Sequence, residues 1–91
     1  MIIPSPIDVC PDYDVAVDRQ RFPEYDPRRL SATFRGMAEA LDTPYLELFE
    51  PFQQRGAAQL YFRGGNDHWN DAGQALAAEL VAALVAERGL L

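Results

Sequence analysis

Asn66-Asp67-His68-Trp69-Asn70-Asp71-Ala72-Gly73 is the stretch on which the reading of this chain turns. It holds the only histidine and the only tryptophan, with an acidic residue touching the histidine. A long Ala/Leu pattern follows at once. Asn70 is a good N-cap, and Asp71 suits the positive end of a helix dipole. The stretch therefore predicts a helix from Asn70 or Asp71 to Arg88, with an acid–imidazole pair just before its N-terminus. Leu76, Ala77, Leu80, Val81 and Leu84 give that helix a broad apolar face. Arg88-Gly89 is its C-terminal signal.

Working outward, Gly64-Gly65 lets the backbone turn sharply, and Leu60-Tyr61-Phe62 before it predicts a short extended segment. Tyr45-Leu46-Glu47-Leu48 is a short strand candidate, and Phe49 to Arg55 predicts one or two helical turns closed by Gly56. Asp26-Pro27 starts a helix over 27–42, an N-cap carboxylate followed by proline in the first turn. Leu30, Phe34, Met37, Ala38 and Leu41 recur at helical spacing and are assigned to the core. Asp42-Thr43-Pro44 stops that helix. Residues 7–26 form a polar, acidic loop anchored by residues such as Val9, Tyr13 and Tyr25; a loop of this length is usually functional. Met1-Ile2-Ile3 reads as the end of a buried strand, cut off by Pro4-Ser5-Pro6. The order strand, loop, helix, strand, short helix, helix predicts an α/β class, half of a parallel sheet.

Ninety-one residues make a single small domain, 1–91. The net charge of −6 argues against nucleic acid, and all eight basic residues are scattered arginines. No apolar run approaches a membrane span, and no signal-peptide pattern is present. One cysteine, Cys10, reads as a free structural thiol. Asp8, Asp12, Asp14 and Asp18 lack the glycine and terminal glutamate of a calcium loop and read as a solvated acidic loop. Neither a metal nor a cofactor is implied.

Ile3-Pro4-Ser5-Pro6, the 44–48 segment, Leu60-Tyr61-Phe62 and then Asp67-His68-Trp69-Asn70 with Gly73 together resemble the C-terminal half of an SGNH/GDSL-type hydrolase. The resemblance is nearest to the alginate O-acetyltransferase (AlgX/AlgJ-like) branch, in which a segment Asp-x-His-Trp-Asn-x-x-Gly precedes the last helix. It spans nearly the whole chain, and its specific part is His-Trp-Asn-x-x-Gly. It implies the C-terminal part of a three-layer α/β/α, flavodoxin-like parallel sheet. It also implies an esterase or O-acetyltransferase acting on acetyl esters of carbohydrate, in a periplasmic or extracytoplasmic setting.

Under that resemblance His68 is the general base of a Ser-His-Asp triad. The acid is open between two positions. The family aspartate stands two residues before the histidine, where this chain has Asn66, and Asp67 is immediately adjacent. Trp69 reads as a pocket wall and Asn70 as a helix cap. Gly64-Gly65-Asn66-Asp67 matches by letter a Gly-x-Asn-Asp oxyanion block that belongs well before the histidine in the family, so the match is read as coincidental. No Gly-Asp-Ser nucleophile segment exists. Ser5 stands between two prolines, and Ser31 falls in the first turns of a helix. The expectation is thus half an active site, completed by an N-terminal half that bears the nucleophile. The alternative is a non-catalytic remnant or interaction module, prone to pairing through an exposed sheet edge.

Overall fold

Among the described residues, four helices and a 3₁₀ turn carry the architecture: α1 Pro6–Val9, α2 Arg29–Ala40, α3 Phe49–Arg55, the 3₁₀ turn Ala57–Gln59, and α4 Asp71–Arg88. This computed structural model describes residues 1–64 and 67–90. Each helix has a local cause. α1 follows Ser5 and has proline at its first position, where the missing N–H costs nothing. α3 ends at Gly56, whose φ of 91° is the left-handed cap geometry that glycine adopts freely. α4 is capped by Asn70 and closed by Gly89 in the same left-handed region.

The expected parallel α/β sheet is not there. Among the described residues there is no β-strand, and the one β-pairing is an isolated antiparallel bridge between Tyr61 and Trp69. The physical reason lies in each strand candidate. Residues 1–3 run into Pro4 and Pro6, which have no N–H to give a ladder. The 45–48 segment runs directly into α3: Leu48 is already helical (φ −107°, ψ −17°), and the Glu47 carboxylate accepts from the Phe49 N–H at 2.8 Å. Leu60 is helical as well, so only Tyr61 pairs. Aromatic and branched residues favour strands only where a neighbouring strand exists to pair with. The acidic loop also differs from expectation, since α1 forms inside it.

The core is small. Val9, Cys10, Leu48, Phe49, Phe52, Leu60, Tyr61 and Leu76 are all nearly inaccessible, with Ile7, Leu46, Trp69 and Leu80 packed against them. It sits where α1, α3, the 3₁₀ turn and the first half of α4 meet. The Tyr61 hydroxyl donates to the Pro4 carbonyl, tying the N-terminal segment to this cluster.

α2 lies within the expected 27–42 but starts later, at Arg29 with Arg28 and not Asp26 at its N-cap, and its apolar face is not core. Leu30, Phe34, Met37 and Leu41 are 54%, 39%, 53% and 73% exposed. The side of α2 that docks carries Ser31, buried, and Arg35, which pairs with Glu47 at 3.2 Å. Val81, expected on the buried face of α4, is also exposed. The radius of gyration, 14.4 Å, exceeds the roughly 12 Å usual for this length. No described helix is long and apolar enough to cross a membrane.

Candidate functional site

The turn that carries His68 is fixed from both sides. The Phe62 N–H donates to the His68 carbonyl at 3.0 Å, and the Asn70 N–H donates to the Leu60 carbonyl at 2.9 Å. The Asn70 side chain does two further things. Its Oδ1 accepts from the Gly73 N–H at 3.0 Å, capping α4, and its Nδ2 donates to the Gln59 carbonyl at 2.9 Å. Trp69, half-buried, anchors the turn in the core. The backbone at His68 is therefore held firmly while its ring stands exposed.

That ring has a defined orientation. His68 Nδ1 lies 2.8 Å from the Trp69 carbonyl. A carbonyl only accepts, so this contact is a hydrogen bond when Nδ1 carries the proton. The neutral ring then keeps its lone pair on Nε2, the nitrogen able to take up a proton.

The Asp67 carboxylate accepts a hydrogen bond from the Tyr13 hydroxyl at 2.7 Å. The acidic loop closes on the same turn through a second set of contacts. Arg63 donates to the Asp12 carbonyl and pairs with Asp14 at 3.2 Å, and Asp14 also accepts from the Gly64 N–H at 2.8 Å. The Arg63 guanidinium lies 5.7 Å from the centre of the Tyr13 ring. Tyr13, expected only as a loop anchor, and Asp14, expected to be solvated, thus join Arg63 around the site. Nothing local could have found them: Tyr13 and Asp67 are 54 positions apart. Asn66, one of the two candidates for the acid, lies outside the described residues.

The two serines come near Asp67 but not together with the imidazole. Ser5, Ser31 and Asp67 line one cleft of about 250 Å³, with Asp8, Leu30 and Phe49 among its other walls. His68 is not among the described residues of that lining. Ser31 is 7% exposed, and Ser5 holds the start of α1 through its carbonyl, which accepts from Asp8 and Val9. Cys10 is buried and free of disulfide, and burial pushes its thiol up, with Asp12 adding to the effect. Among the described residues no group of three or more His, Cys, Asp or Glu could hold a metal ion.

The Tyr13 phenol is pushed up from 10.0 to about 12, chiefly by its hydrogen bond to Asp67 and then by burial. Tyr25 is likewise pushed up to about 12, by burial first and then by its bond to Asp8. A raised phenol favours the folded state below the unfolded value and loses that contribution as pH climbs through the folded one. Stability is therefore expected to fall between pH 10 and about 12. Tyr13→Phe should flatten part of that fall, leaving the shares of Tyr25, Tyr45 and Tyr61, whose phenols burial also pushes up. Melting temperatures across this range check it, and superimposable profiles would show that Tyr13 does not hold Asp67.

Comparison with protein-family models, curated proteins and solved structures finds no match to this chain.

Proposed function

We propose that the segment carrying Asp67 and His68 supplies the acid–base half of an SGNH/GDSL-type esterase or O-acetyltransferase site acting on acetyl esters of carbohydrate. His68 is the base, oriented by the Trp69 carbonyl on its Nδ1, and the Asp67 carboxylate, held by Tyr13, is a neighbouring charge and not the Nδ1 partner. The nucleophilic serine comes from a Gly-Asp-Ser-bearing polypeptide that this chain joins or binds. In the reaction, the serine hydroxyl gives its proton to His68 Nε2 as its oxygen attacks the acetyl carbonyl. The sugar oxygen leaves with that proton, and an acetyl-serine remains. Water or an acceptor hydroxyl then attacks this ester, again losing its proton to Nε2, and the serine is restored.

The observation that carries this reading is the geometry of His68: a pinned backbone, an exposed ring, and Nδ1 on the Trp69 carbonyl. A carbonyl on Nδ1 orients a base and selects its tautomer much as a triad carboxylate does. The test joins or co-expresses the chain with a Gly-Asp-Ser-bearing half and follows p-nitrophenyl acetate hydrolysis. His68→Ala is expected to lower that activity at least about a hundredfold, the usual worth of a positioned base. Activity that survives the substitution removes His68 from the role.

A second reading, a non-catalytic interaction module, is favoured by the exposed apolar residues of α2 and α4. It predicts no esterase activity in the reconstituted system and partner binding that His68→Ala leaves unchanged.

A further inference from the structure

The outer side of α4 is an open apolar trough of about 670 Å³, lined by Ala78, Val81, Ala82 and Val85, with Trp69 at one wall. It lies roughly 120° round the helix from Gly73, Leu76 and Ala77, which face the core. Each end of α4 carries one charge on the flank of this trough: Asp71 in the first turn and Arg88 in the last. Neither makes an ion pair or a side-chain hydrogen bond among the described residues.

These positions are self-complementary. Lay a second α4 antiparallel on the first, with the two-fold axis passing between residues 79 and 80. Asp71 then faces Arg88 of the second copy, twice. Ala78 faces Val81, and Gln74 faces Val85. The helix face on which this axis falls is the face of the trough, because Asp71 and Arg88 lie at equal angles on either side of its centre. The alanines allow two helices to approach closely, and antiparallel dipoles attract.

We propose that α4 is a self-association surface, through which two copies of this chain pair antiparallel about an axis beside Ala78 and Val81. The inference stands apart from the hydrolase reading, since it needs neither His68 nor a substrate.

Sedimentation velocity on the 91-residue chain is expected to give twice the 10.2 kDa protomer mass. Val81→Glu sets carboxylates at the axis and should yield a monomer whose circular dichroism keeps the helical signal. Arg88→Glu opposes Asp71 with a like charge at two places and should weaken pairing roughly tenfold. Adding Asp71→Arg to it should restore pairing, an outcome that only the antiparallel register gives. Phe34→Glu, on the other exposed face, should leave the dimer intact. A monomeric wild-type chain overturns the proposal, as does a dimer indifferent to Val81→Glu or broken by Phe34→Glu. It is equally overturned if the wild-type chain stays monomeric and the Gly-Asp-Ser-bearing polypeptide takes the trough, its binding lost in Val81→Glu.

Discussion

Phe52→Ala should destabilise this chain by about 3–5 kcal/mol, the cost of emptying a fully buried aromatic site. Phe52 is 0% exposed. It meets Tyr61 edge-on, with ring centres 6.1 Å apart and planes at 64°, the geometry in which aromatic quadrupoles attract. Its neighbours cannot close over the space. Leu48 and Phe49 are fixed by the start of α3, and Tyr61 is held by its hydrogen bond to Pro4 and its bridge to Trp69. A 91-residue domain has about 5–14 kcal/mol in total, and a core this small belongs at the lower end. The substitution thus removes most of the folding free energy. Thermal denaturation should show a fall of at least about 15 °C, or no cooperative transition at all. Phe34→Ala is the matching control. Phe34 is 39% exposed on α2, and its loss should shift stability by no more than about 0.5 kcal/mol. A fall of under about 5 °C for Phe52→Ala would mean that this cluster is not the core.

That pair of phenylalanines also marks where the sequence stops being legible. Both sit at helical spacing among apolar residues, and Phe34, with Leu30, Met37 and Leu41, makes the more regular stripe. Periodicity reports that a helix has an apolar face; it carries no information about what covers that face. α4 was legible end to end because its signals are local: Asn70 at the cap, Asp71 in the first turn, Gly89 past the end. The same holds for Gly56 closing α3. Sheet formation is not local. The runs at 1–3, 45–48 and 60–62 have strand-like composition, yet each needs a partner strand, and only Tyr61 finds a paired residue. The loop at 7–26 illustrates the same limit within the candidate site. Its length marked it as worth notice, but its docking by Tyr13 and Asp14 onto Asp67, Arg63 and Gly64 depends on contacts some fifty positions apart.

Gly73→Ala should be nearly as damaging as Phe52→Ala, and it acts on the candidate site itself. The sequence offers Gly73 only as a letter of the His-Trp-Asn-x-x-Gly pattern; the packing shows what it does. A Cβ placed there would lie 2.5 Å from the Leu60 carbonyl oxygen and 3.1 Å from the Trp69 Cβ. The first contact is with backbone, so no rotamer change relieves it. That carbonyl is also the acceptor for the Asn70 N–H, and the Gly73 N–H is the donor to the Asn70 side chain. Moving α4 outward by even a few tenths of an ångström strains both bonds, the N-cap and the Tyr61–Trp69 bridge together. Overpacking costs about 1–3 kcal/mol, the two weakened hydrogen bonds add about 1 each, and the better helix propensity of alanine returns about 1, so a loss of about 2–4 kcal/mol is expected. Part of that loss should appear as motion rather than unfolding. The bonds that fail are those holding the His68 backbone, so hydrogen exchange at the Phe62 and Asn70 amides should speed up more than exchange in α3. Gly36→Ala is the control, because nothing lies within 4 Å of a Cβ at that position and alanine favours the helix. If Gly73→Ala proves as mild as Gly36→Ala, the close approach of α4 to Leu60 is absent, and with it the rigid placement of the imidazole on which the proposed chemistry depends.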